Sequence, residues 1–303
     1  MSNISSSNRP AFLPGYTKTW HNTSYPAISP SNPALSVAGK NIVITGGGSG
    51  IGSATALSFA RAGAKSITLL GRRKNLLEDT AAKINHEVPG VKVLALKADL
   101  LDLSSLERAF EKVNNSFGTI DVLVSNAGFL STPTSVLKSE EKDWWMSFQT
   151  NVLGTYNIVR AFVPFSTPGE SVFLNVSSGV ATLAPMPGVS AYTASKAGNA
   201  KLVEHLAYEL GPQGIRVFNI QPGIVETDMN LKSQDAPDSM DIKAMDDVSL
   251  PADMILWLAS KEAAFLHGKF VWVNWDVEEL KAKKAEIEAD PHLLAIGLEG
   301  TKF

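Results

Sequence analysis

Seven short runs of apolar, β-branched-rich residues recur along the chain, at residues 41–45, 66–70, 91–98, 120–125, 171–177, 215–220 and 270–273. Between them, apolar residues return at helical spacing over 50–62, 73–88, 104–117, 140–165, 192–210 and 251–258. A strand covered by helices on both faces has no solvent side, so it reads as a nearly continuous apolar run. This alternation predicts an α/β fold: a single doubly wound, mainly parallel seven-stranded sheet with helices on both faces, the Rossmann fold. No internal repeat and no linker splits it. The expected organisation is an N-terminal Pro/Ser-rich arm over 1–39, the α/β domain over 40–276 and a C-terminal helical tail over 277–303.

Composition narrows the function classes. Lys and Arg number 27 against 30 Asp and Glu, which leaves no basic excess for nucleic acid. Zero Cys removes disulfides, cysteine-ligated metals and a thiol nucleophile. His21, His86, His205, His267 and His292 are scattered, so no metal site is expected. No apolar run reaches the roughly 18 residues of a membrane span, and the start lacks the order of a secretory signal. A cytoplasmic protein without membrane or nucleic-acid partners is expected.

Residues 1–40 hold five of the 16 Pro and eight Ser, a composition that favours a disordered leader. Phe12, Tyr16, Trp20 and Tyr25 argue instead for an extended arm whose later part is pinned to the domain. The polar excursion over 228–250 follows a strand end and reads as a lid, with Met229, Met240 and Met245 as candidate pocket walls. Trp144, Trp145 and Phe148 are expected to pack on the sheet or on a sister subunit. A short charged helix is expected over 277–289.

The first strand runs into Thr45-Gly46-Gly47-Gly48-Ser49-Gly50-Ile51-Gly52 and then a helix. Glycines let backbone approach a pyrophosphate, whose charge meets the free N–H groups of the helix start. The segment does not fit Gly-x-Gly-x-x-Gly, and Ser53 stands where a P-loop requires Lys. What remains is Gly46-x-x-x-Gly50-x-Gly52 in a strand–turn–helix setting; a merely structural turn is the alternative. The second strand ends Leu70-Gly71-Arg72-Arg73, with no acid to repel a 2′-phosphate and two guanidiniums to hold one. That favours NADP(H) over NAD(H), unless both arginines simply begin a solvated helix.

Tyr192-Thr193-Ala194-Ser195-Lys196 sets a phenol and an ammonium one helical turn apart, after a strand ending Asn175-Val176-Ser177-Ser178-Gly179. A nearby cation favours phenolate and is expected to hold the Tyr192 pKa below its usual ~10. With Asp99 after the third strand, Asn126-Ala127-Gly128 after the fourth, Asn151, and Pro222-Gly223 after the sixth, the chain resembles the short-chain dehydrogenase/reductase family across residues 38–276. The Pro-rich leader and charged tail further resemble additions in fungal members.

The resemblance implies a dinucleotide-binding oxidoreductase domain and a set of roles. Tyr192 exchanges the proton with the substrate oxygen, and Lys196 lowers that pKa and binds the nicotinamide ribose. Ser178 hydrogen-bonds the carbonyl or alcohol, and Asn151 holds the backbone and water of the proton relay. Gly46, Ser49, Gly50, Ile51, Gly52, Arg72, Arg73, Asp99, Leu100, Asn126, Ala127, Gly128, Pro222, Gly223, Val225 and Thr227 complete the cofactor path. Ser177 reads as a strand-end core residue.

Departures are Ser125 in place of a second Asn, a Ser178-to-Tyr192 stretch about one residue longer than is common, with Pro185, Met186 and Pro187, and Asn274-Trp275-Asp276 where a glycine pair is common. The expected activity interconverts a ketone and a secondary alcohol on a small, fairly apolar molecule, such as a secondary metabolite, in a homodimer or homotetramer. Non-redox isomerisation or cyclisation on the same fold and a catalytically idle dinucleotide-binding scaffold are the alternatives. Substrate choice is expected to lie in 183–191, 228–250 and 129–136.

Overall fold

The computed structural model describes residues 9–234 and 244–297. The seven expected strands lie within two residues of their predicted limits: β1 (Asn41–Thr45), β2 (Ser66–Gly71), β3 (Lys92–Lys97), β4 (Val122–Ser125), β5 (Val172–Val176), β6 (Arg216–Gln221) and β7 (Phe270–Trp272). They form one sheet in the order β3-β2-β1-β4-β5-β6-β7, and every pairing is parallel. The order reverses between β1 and β4. Crossovers leave that point in opposite directions, which opens a crevice at the carboxyl ends of these two strands.

The helices are α1 (Gly50–Arg61), α2 (Lys74–Glu87), α3 (Leu103–Phe117), α4 (Glu141–Phe148), α5 (Gly154–Phe162), α6 (Ser190–Leu210), α7 (Asp228–Gln234), α8 (Ser249–Ala259), α9 (Val277–Ala282) and α10 (Lys284–Ala289). Successive strand side chains point to opposite faces, so the sheet feeds two cores. Ile42, Ile44, Leu174 and Phe218 join Phe59, Leu256 and Trp257 on one face. Val43, Leu123, Phe173 and Val217 join Phe110, Phe162 and Val203 on the other.

Two expected helices are interrupted. The stretch over 140–165 is α4, a π-helical turn at Gln149–Leu153, α5 and a 3-10 turn at Val163–Phe165. A π-turn inserts one residue without disturbing the apolar spacing enough to be read from sequence. The charged stretch over 277–289 breaks at Lys283 into α9 and α10. Part of the expected lid is α7, which carries Met229; Met245 is half-exposed, and Met240 lies outside the described residues.

The described part of the arm is pinned from Leu13 onward, with Leu13, Thr17, Trp20, Ile28, Leu35 and Val37 buried. Burying an apolar side chain of this size contributes about 1.5–3 kcal/mol, which offsets the ordering of a Pro-rich segment. Its partner is the departure noted after β7. Trp20 bridges Trp275, and the backbone N–H of His21 donates to the carbonyl of Asn274 at 2.9 Å. Asn274 Nδ2 returns a bond to the His21 carbonyl at 2.8 Å, and His21 Nε2 meets Asp276 at 2.9 Å. The backbone N–H groups of Lys18 and Thr19 donate to the two Glu279 carboxylate oxygens at 2.7 and 2.9 Å. Proline and serine content says only that the arm forms no regular element by itself; docking decides the rest.

Candidate functional site

The glycine turn needs its glycines for two separate reasons. Gly46 and Gly50 have φ of +65° and +51°, the left-handed region that disfavours side chains. A Cβ on Gly52 would stand 2.3 Å from the Gly46 carbonyl oxygen, so only glycine lets α1 start this close to β1. Asn126 clamps the turn from β4: its Nδ2 donates to the carbonyls of Thr45 and Gly46 at 3.1 and 3.4 Å. Thr45 Oγ1 accepts from the N–H groups of Asn126 and Ala127 at 2.9 and 3.0 Å. Ser49, the N-cap of α1, makes no capping bond, so its side chain leaves the first N–H groups of that helix free for an anion.

A groove of about 490 Å³ runs from this turn across the carboxyl ends of the strands. Gly46, Ser49, Gly50, Ile51, Arg72, Arg73, Asp99, Leu100, Asn126, Ala127, Gly128, Tyr192, Lys196, Pro222 and Thr227 all line it. Gly52 lies behind the turn, while Gly223 and Val225 face a second cavity of about 220 Å³. Ser178 lines that cavity with Leu130, Leu183, Met186 and Val189, and no charged side chain lines it among the described residues. Tyr192 borders both spaces.

Lys196 is buried and donates from Nζ to the Val176 carbonyl at 2.9 Å, with Nζ 5.8 Å from the Tyr192 ring centre. Burial lowers its pKa to about 8. Tyr192 keeps part of its surface open to the two spaces, and its hydroxyl pairs with the Ser178 side chain. Its pKa is raised to about 12 by desolvation, with the Ser178 bond opposing. The expectation of a lowered Tyr192 pKa is thus corrected for the ligand-free site: desolvation at this depth outweighs any help from the ammonium.

A scan against family models matches the short chain dehydrogenase model over residues 40–238. A short chain dehydrogenase of Monascus purpureus is 35% identical over 288 residues, covering 91% of this chain and 96% of the relative. A short chain dehydrogenase/reductase of Claviceps purpurea is 36% identical, covering 94% and 95%. The chain belongs to the short-chain dehydrogenase/reductase family. Among solved structures, a Burkholderia cenocepacia short chain dehydrogenase in complex with NADP aligns with a TM-score of 0.70 at 27% identity, covering 80% of this chain and 99% of its own. A Brucella melitensis 3-ketoacyl-(acyl-carrier-protein) reductase complexed with NADH aligns at 0.69 and 28%, covering 78% and 98%.

In this short-chain dehydrogenase, Asn151 lies inside the π-turn and borders neither space. Its side chain accepts from the N–H of Phe129 at 2.9 Å and donates to the Phe129 carbonyl at 2.9 Å and to Ser195 Oγ at 3.0 Å. Behind it stands a buried amide network that the sequence reading missed. Asn199 Nδ2 donates to the Asn151 carbonyl at 2.7 Å and to Thr155 Oγ1 at 2.8 Å. Asn175 Nδ2 donates to Asn199 Oδ1 and Asn219 Oδ1 at 2.7 and 2.9 Å, joining β5, α6 and β6. The available signal was two asparagines inside apolar strands, each needing a buried partner.

Other expectations shift. Ser177 is buried as expected, yet it borders both spaces and its Oγ has no hydrogen-bond partner. Arg73 is engaged by Ser49 Oγ at 3.3 Å and Asp228 at 3.5 Å, whereas the exposed Arg72 has no partner among the described residues. Leu76 and Thr150 reach the groove from α2 and the π-turn, unseen in the sequence. Trp144, Trp145 and Phe148 stack on one another and line neither space.

Proposed function

We propose that this short-chain dehydrogenase/reductase is NADP(H)-dependent and interconverts a ketone and a secondary alcohol on a small, neutral, apolar molecule, such as a secondary metabolite. The observation that carries this reading is the common wall at Tyr192 between a glycine-floored groove and an uncharged cavity. The groove fits a dinucleotide: its turn has no room for side chains, its helix start lacks a side-chain cap, and Arg72 is free for a 2′-phosphate at the strand end where an acid would repel one. When bound, the nicotinamide supplies or accepts the hydride.

The chain's own residues manage the proton. With a pKa near 12, Tyr192 is a neutral phenol at physiological pH, the form that donates to the oxygen of a ketone undergoing reduction. Ser178 hydrogen-bonds that oxygen. Lys196, largely an ammonium below its pKa of about 8, offsets the charge left on Tyr192 and binds ribose hydroxyls. Asn151 fixes the backbone at Phe129, and Asn199 fixes Asn151. Exposed Trp145, Leu153, Tyr156 and Tyr208 on the α4–α5 segment and α6 support a homodimer or homotetramer.

Native mass spectrometry with NADPH and NADH titrated separately tests the cofactor; NADPH is expected to bind at least about ten-fold tighter, roughly 1.4 kcal/mol. Tyr192→Phe is expected to keep NADPH affinity and lose about 10²- to 10⁴-fold in ketone turnover. Undiminished turnover would overturn the assignment.

A further inference from the structure

The cavity beyond Tyr192 has one wall outside the matched family region. Phe12 and Leu13, from the N-terminal arm, line it beside Leu183, Met186 and Met229, whereas the family model begins at residue 40. Leu13 is 5% exposed and belongs to the core. Phe12 is 59% exposed, a large apolar ring at the cavity edge with most of its surface uncovered.

The arm is fixed at that edge. The Leu13 carbonyl accepts from the Arg9 guanidinium, and Trp275 Nε1 donates to the Pro14 carbonyl at 3.3 Å. Tyr16 packs against Trp275 at 5.4 Å between ring centres. One buried carboxylate, Asp246, then ties the arm to the cavity floor. Its Oδ2 accepts from the N–H of Ile224 at 2.7 Å, and its Oδ1 accepts from Asn22 Nδ2 at 2.7 Å and Asn274 Nδ2 at 2.9 Å. Gly223 and Ile224 line the same cavity as Phe12.

We propose that the N-terminal arm is a substrate-binding wall in which Phe12 and Leu13 contact the substrate and set a preference for ring-containing neutral ketones. The proposal rests on the ketone-reductase reading for its substrate, not for the wall itself. An apolar ring covering Phe12 buries aromatic surface that a small ketone leaves wet, so preference grows with substrate size. Asp246 holds Asn22 and Ile224 together, so the arm and the floor keep one spacing.

Two measurements on the full chain separate this proposal from the reading beneath it. The first compares kcat/KM for 2-tetralone and cyclohexanone in wild type, Phe12→Ala and Leu13→Ala, with NADPH affinity measured alongside. Phe12 is exposed enough that its truncation leaves folding intact. The 2-tetralone preference is expected to fall about five-fold or more through KM, as loss of part of an aromatic contact implies, at unchanged NADPH affinity. The second uses Phe12→Cys, which carries the only thiol because the natural chain has none. Its alkylation by N-ethylmaleimide, with NADP present, is expected to slow at least about three-fold in saturating 2-tetralone if the ligand covers that position.

Reduction by wild type with unchanged preference in both alanine variants overturns the arm proposal and leaves the reductase reading standing. No reduction by wild type, with 2-tetralone still slowing alkylation, removes the reductase reading and supports the wall. No reduction and no protection removes both.

Discussion

The groove along the glycine turn and the cavity beyond Tyr192 share a wall, but only the cavity reaches into the N-terminal arm, at Phe12 and Leu13. The groove is built chiefly from turns at the carboxyl ends of β1 to β6, and much of its character is backbone: positive-φ glycines, an uncapped helix start, and Asn126 holding two carbonyls. The cavity collects side chains from residue 12 to residue 230, including an arm docked through contacts near residues 246 and 274–279. A space made of backbone has few ways to vary, whereas one made of distant side chains changes with any of its contributors. The solved structures cover 78–80% of this chain, against 91–94% for the two fungal relatives.

The sharpest way to break this comparison is Gly52→Ala. A methyl 2.3 Å from the Gly46 carbonyl oxygen has no flexible side chain to displace, so α1 or the turn must shift. Dinucleotide affinity is expected to fall by about 100-fold or more, with about 1–3 kcal/mol of stability lost to overpacking; calorimetric binding and denaturant unfolding measure the two. Retained affinity would mean that the turn is not the anchoring part of the groove.

Arg72→Ala tests the side-chain part of the groove. Removing a charge-assisted contact worth about 1.5–3 kcal/mol should weaken NADPH about 10- to 100-fold and leave NADH unchanged. Equal losses for both dinucleotides would assign Arg72 a general electrostatic role. Arg73→Ala is expected to have the smaller effect, because Arg73 already pairs with Asp228 and Ser49.

The mildest effect is a pH dependence at the shared wall. Lys196 is protonated below about 8 and neutral above it, whereas Tyr192 stays protonated until about 12. Ketone reduction that uses the ammonium should therefore be level below pH 7 and fall as pH rises through 8, tending toward ten-fold per unit. A free-enzyme kcat/KM profile that stays level to pH 10 would show that the charge on Lys196 is dispensable.

The amino-acid sequence alone determined the parallel sheet, the order of its elements and the position of the glycine turn. Those features follow from local regularities: apolar runs of strand length, helical periodicity, and glycines between a strand and a helix. It also brought Tyr192 and Lys196 together, because four residues on a helix span one turn. Tertiary structure decided the rest. The π-turn around Asn151, the Asn175–Asn199–Asn219 network and the arm on Trp275 depend on which surfaces meet after folding. The raised pKa of Tyr192 has the same origin, since desolvation comes from atoms contributed by many segments and no sequence spacing encodes it.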